Sequence, residues 1–110
     1  MEILQEQQDG VVVLTPRPRV DSATAKQFEE KVLGTVNGGA AKVLLDFSAL
    51  DYMSSAGLRV VLAGAKAAKA KGGRLVLCGM KPAIREVFDV SGFSKILQIL
   101  PGRTEALAAL

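Results

Sequence analysis

Residues 42–78, KVLLDFSALDYMSSAGLRVVLAGAKAAKAKGGRLVLC, carry a strand-like run, a helical period and a second strand-like run in succession. KVLLDF (42–47) is a short continuous apolar run, of the kind a strand shows when both of its faces are covered. From Ala56 to Lys71 the spacing becomes helical: Leu58, Val61, Leu62, Ala65 and Ala68 fall in one broad stripe, while Arg59, Ala63, Lys66, Ala67 and Ala70 point the other way. Gly72-Gly73 stops the helix, and RLVLCG (74–79) is a second strand-like run. Strand, helix, strand in that order predicts parallel strands joined by a right-handed crossover.

Upstream, EILQEQQ (2–8) alternates weakly and VVVLT (11–15) follows Asp9-Gly10, a dipeptide that signals a hairpin between strand-like runs. Asp21 and Ser22 then precede a helical pattern in which Ala25, Phe28, Val32 and Val36 share a face and Asn37-Gly38-Gly39 closes the segment. Downstream, KPAIREVFDVSG (81–92) reads as a helix with Pro82 in its first turn and Gly92 past its end. KILQIL (95–100) reads as a strand, and the alanine-rich GRTEALAAL (102–110) as a short last helix. The predicted order is β-β-α-β-α-β-α-β-α. It describes an α/β fold: a mixed β-sheet with an N-terminal hairpin followed by βαβ units and four helices, in one domain over residues 1–110.

The composition narrows the function. The chain has no histidine, which removes the usual general base, the usual metal ligand and the Ser-His nucleophile pair together. No metal or other cofactor is therefore expected. A net charge of +3, one tyrosine and no tryptophan fall short of a nucleic-acid footprint. No apolar run is long enough for a membrane span, and MEILQEQQDG has no signal-peptide pattern, so a cytoplasmic location is expected. The single cysteine, Cys78, lies inside an apolar run and reads as a small buried hydrophobe.

Ser54 and Ser55 stand between the end of the central strand and the start of the helix, where open α/β sheets place their sites. One serine is explained as an N-cap. A capping-box glutamate is absent, since Gly57 and Leu58 occupy the third positions after the two serines. MSSAG lacks the first glycine of a nucleophile elbow, and the loop lacks the glycines and lysine of a phosphate-cradling loop. A phosphate carried on either hydroxyl would meet the unpaired amides of a helix N-terminus, so capping and modification both stay open.

VLLDFSALDYMSSAGLRVVL followed by GGRLVLCGMKPAIREVFDVSGFSKILQI resembles the bacterial anti-sigma factor antagonists, the single-domain STAS proteins. The resemblance covers nearly the whole chain. It rests on D-x-S-x-L-x-x-M-x-S-x-G-L from Asp46 to Leu58 and on P-x-I-x-x-x-F-x-x-x-G from Pro82 to Gly92. It implies that Ser55 is the phosphorylated serine, with Ser54 where many members carry aspartate and Ala56 where they carry a second hydroxyl. It further implies that Asp21 and Asp51 edge the phosphorylation loop, although Asp21 is equally an ordinary cap for the helix after it. The mechanism implied is partner switching. The unphosphorylated chain binds an anti-sigma factor that is also a serine kinase of the histidine-kinase-like ATPase type, phosphorylation on Ser55 releases it, and a metal-dependent serine phosphatase resets the switch.

On this reading Met53, Ala56, Arg59 and Ala63 form the partner-binding surface, and Gly57 permits close approach of the partner or phosphate. Nucleic acid and membrane are not partners, the free chain is a monomer, and the protein is not an enzyme. The alternatives are a STAS scaffold subunit of a lipid-transport or stress-signalling complex without phospho-switching, and a small enzyme or nucleotide-binding domain using Asp21, Asp51 and the serine loop.

Overall fold

The computed structural model describes residues 1–110. Strands β1 (Glu2–Gln8) and β2 (Val11–Arg17) form the predicted antiparallel hairpin. Its turn places both Asp9 (φ 55°) and Gly10 (φ 79°) in the left-handed region, as the hairpin twist demands. β3 (Arg19–Val20) and a turn lead into α1 (Ala25–Asn37), then β4 (Lys42–Asp46), β5 (Tyr52–Met53), α2 (Ser55–Ala70), β6 (Arg74–Cys78), α3 (Pro82–Ser91), β7 (Ile99–Leu100) and α4 (Arg103–Ala109). The main sheet runs β1-β2-β4-β6-β7, and every pairing after the hairpin is parallel. The predicted fold class is thus borne out. No helix is long and apolar enough to cross a membrane.

Alternation along the central strands divides the core in two. Val12, Leu14, Val43, Leu45, Leu75 and Leu77 face α1, α2 and α3, whereas Val11, Val13, Leu44, Val76 and Cys78 face α4. Phe47 lies between Phe28 of α1 and Phe88 of α3, with ring centroids 6.4 Å from each. Burial of three such rings and their aliphatic neighbours is the main source of stability, at about 1.5–3 kcal/mol per large side chain. Cys78 is fully buried; desolvation, with the Asp46 carboxylate beside it, pushes its thiol up to about 12. It remains a neutral thiol at any physiological pH.

The structure differs from the sequence-based expectations in four places. First, the strand expected over 95–100 is confined to Ile99–Leu100: Phe93–Lys95 makes a 3-10 turn that leaves Ile96 outside and drives Leu97 into the core. Second, α1 starts at Ala25, because residues 22–24 form a turn held by the Asp21 carbonyl and carboxylate. Third, β3 and β5 pair in a second, two-stranded parallel sheet that two-residue segments cannot announce by periodicity. Fourth, α2 buries a wider arc than its leucine stripe indicates. Val60 and Gly64 are buried as well, and Ala67 packs against the core instead of facing outward. A Cβ on Gly64 would stand 2.7 Å from Val32 Cγ1, so α1 and α2 approach through that glycine.

Candidate functional site

The loop between β4 and α2 is held by the short β3–β5 sheet. Arg19 pairs with Tyr52 and Val20 with Met53, the Asp51 amide donates to the Pro18 carbonyl (2.6 Å), and the Ser54 amide donates to the Val20 carbonyl (2.8 Å). This ladder brings the 18–21 segment alongside the serine pair, which lies more than thirty residues further along the chain. Asp21, one residue beyond the last strand pair, accordingly flanks the loop.

The two serines do different things. Ser54 is the N-cap of α2: its backbone is extended (φ −84°, ψ 170°), its Oγ accepts from the Gly57 amide at 3.4 Å, and its carbonyl accepts from the Leu58 amide at 3.1 Å. Ser55 is the first helical residue, exposed, and its hydroxyl forms no hydrogen bond. The backbone thus commits one hydroxyl to capping and leaves the other outside.

Asp21 is a cap. Its Oδ1 accepts from the Ala23 and Thr24 amides (3.0 and 3.1 Å) and from the Thr24 hydroxyl, and its Oδ2 accepts from Arg19 Nε at 3.1 Å. Desolvation pulls its pKa upward, but these donors outweigh it and hold the carboxyl below the ordinary range. Asp51, at the outer edge of the loop, pairs with Lys81 at the N-cap of α3. The Arg19 guanidinium lies 4.8 Å from the ring centroid of half-exposed Tyr52. Arg19 and Tyr52 were not legible as loop neighbours, because the strand pairing that recruits them spans two residues, and Lys81 joins them only through its ion pair with Asp51.

Of the expected partner-binding residues, Arg59 is exposed, and Ala56 and Ala63 are half-buried on the outward side of α2. Met53 requires correction. It is 3% exposed and belongs to the main core, because β5 points its side chain inward. Gly57 requires one too. It is buried, and a Cβ there would stand 2.6 Å from Val20 Cγ1 and 3.2 Å from Met53 Cγ, so the glycine admits β3 and not a partner.

A surface feature that the sequence did not disclose lies on the other side of Ser55. α2 and α3 form an open groove of about 420 Å³ lined by Ser55, Leu58, Ala83, Glu86, Val87 and Val90, with the Val90 side chain 81% exposed. Its only signal in the sequence was an aliphatic residue at an outward position of α3. No group of three histidine, cysteine or acidic side chains is arranged to hold a metal ion.

Comparison with known proteins places these features in a family. The model of the STAS domain matches residues 2–106. Over 109 residues, 99% of this chain and 94% of the other, the chain is 43% identical to BtrV of Bordetella bronchiseptica, a protein named as a candidate anti-sigma factor antagonist. The crystal structure of an anti-sigma factor antagonist from Mycobacterium paratuberculosis superposes with a TM-score of 0.90 at 27% identity, covering 98% of this chain and 92% of that one. The anti-sigma factor antagonist SpoIIAA, in its unphosphorylated form, superposes with a TM-score of 0.80 at 25% identity, covering 96% and 93%.

Proposed function

The chain belongs to the STAS domain family, and on that footing we propose that it is an anti-sigma factor antagonist switched by phosphorylation of Ser55. The observation that carries the reading is the division between the serines: Ser54 is engaged with the Gly57 amide, and Ser55 presents a free hydroxyl at the surface. A kinase needs an exposed nucleophile that the fold does not use. Ser55 alone of the pair is one.

The partner is an anti-sigma factor with serine kinase activity of the histidine-kinase-like ATPase type, and a metal-dependent serine phosphatase restores the hydroxyl. Docking covers Ser55 together with Ala56, Arg59 and Ala63, and extends into the α2–α3 groove, where Leu58, Val87 and Val90 offer apolar contact. A phosphate adds −1.5 to −2 charges in the middle of that surface and opposes docking by desolvation and repulsion, with no need for the domain to change shape. Asp21 and Asp51 act indirectly: the first fixes the turn beside the loop and the second ties the loop to α3. The chain works in the cytoplasm and is a monomer when free.

The test is to incubate the chain with its kinase and ATP and locate the phosphate by peptide fragmentation. Phosphate on Ser55 is expected. Phosphate mainly on Ser54, or on neither serine, overturns the reading.

A further inference from the structure

We propose that Arg59 is the intramolecular receptor of a phosphate on Ser55, so that modification both adds an anion and withdraws a cation from the α2 surface. The inference rests on the assignment of Ser55 and concerns what the phosphate does once attached.

The cations around the loop divide sharply. Arg19 is paired with Asp21 (3.1 Å) and stacked on Tyr52, Lys81 is paired with Asp51, and Arg85 is paired with Asp89 (3.1 Å). Arg59 has no carboxylate within ion-pair distance, although Glu29 and Lys26 of α1 line the same shallow depression as Arg59. Arg59 is also the residue four positions after Ser55 on one continuous helix, so the two side chains stand on adjoining turns of the same face. The acid lies N-terminal to the base, the favourable order for such a pair.

Electrostatics on the other side of Ser55 points the same way. The α2–α3 groove contains Glu86, so a phosphate leaning there meets a carboxylate, whereas one leaning along α2 meets the guanidinium. No acidic residue occurs anywhere from Tyr52 to Arg85, so nothing on α2 competes for Arg59. Arginine suits the role because its planar fork donates to two phosphate oxygens at once. Displacing Asp21 from Arg19 or Asp51 from Lys81 would instead break a pair already made.

The decisive experiment places phosphoserine at position 55 by genetic encoding and follows the 31P resonance against pH at low salt. No kinase is involved, so failure here leaves the Ser55 assignment intact, and failure of phosphosite mapping leaves this result intact. Arg59→Gln should raise the titration midpoint of the phosphate by about 0.3 pH or more, the size of a helical i,i+4 ion pair. Arg59→Lys should keep most of the effect, and Lys66→Gln, further along the same helix, should leave the midpoint in place. An unchanged midpoint in Arg59→Gln, an equal shift in Lys66→Gln, or a larger one in Arg19→Gln would overturn the proposal.

Discussion

Val20 and Gly57 meet across the boundary between β3 and α2 so closely that a Cβ on the glycine would lie 2.6 Å from Val20 Cγ1. Val20 is fully buried and cannot swing aside. A methyl group at position 57 gains about 1 kcal/mol of helix propensity but incurs an overpacking cost of about 1–3 kcal/mol. Gly57→Ala should therefore be destabilised by about 1 kcal/mol, and Gly57→Val by more. Thermal melts measure both, and Val20→Ala should cost less stability in Gly57→Ala than in the parent. Additive effects in that double mutant would show that the two residues do not press on each other.

The two serines should separate cleanly by stability. Ser54→Ala removes the side-chain acceptor of the Gly57 amide and should cost about 0.5–1 kcal/mol, the low end for an N-cap because the bond is long. Ser55→Ala removes a hydroxyl with no partner and should melt within about 0.5 kcal/mol of the parent. Urea titrations of both variants decide it. An equal loss in both would mean that Ser55 shares the capping role.

How much of this was legible depends on the length of each pattern. β4 and β6 showed as continuous apolar runs because both of their faces are covered, α2 is long enough for the 3.6-residue period to show, and the hairpin announced itself through Asp9-Gly10. β3 and β5 are two residues each, too short for any period, yet their pairing is what sets Asp21 beside the loop. Leu97 read as part of a strand because apolar residues surround it; the turn after Gly92 sends it into the core from irregular backbone. Gly57 was visible as a glycine, but the direction of its missing side chain depends on where β3 lies. The choice between Ser54 and Ser55 as cap needed the helix start to one residue, finer than periodicity resolves.

Acid should weaken the fold through Asp46. Burial of this carboxyl would raise its pKa, but the Ser48 amide (3.0 Å) and the Arg103 guanidinium, bound through Nε and Nη2 at 3.1 and 3.0 Å, outweigh desolvation and hold it below the usual value. A depressed carboxyl adds stability that is present above its unfolded pKa of about 3.9 and is lost as pH falls through the lower folded value. The chain should therefore lose stability below about pH 4. Asp46→Asn should be destabilised at neutral pH by about 1–3 kcal/mol and show a shallower acid limb. Melts from pH 3 to 7 test it; parallel curves for parent and variant would remove Asp46 from the acid response.

Ser55→Asp places a carboxylate where the partner meets a neutral hydroxyl. A charge facing a desolvated interface costs several kcal/mol, and about 3 kcal/mol corresponds to roughly 100-fold weaker binding. The fold should not suffer, since an acidic side chain in the first turn of α2, which carries none, gains about 0.3–1 kcal/mol from the helix dipole. Ser55→Ala should bind like the unmodified chain and resist release by kinase and ATP. Calorimetry against the anti-sigma factor, with melts as the stability control, reads both variants. Aspartate carries one charge where phosphate carries nearly two and lacks the reach to engage Arg59 bidentately, so the phosphorylated chain should bind more weakly still. If Ser55→Asp and the phosphorylated chain both bind as tightly as the parent, charge at Ser55 is not the switch.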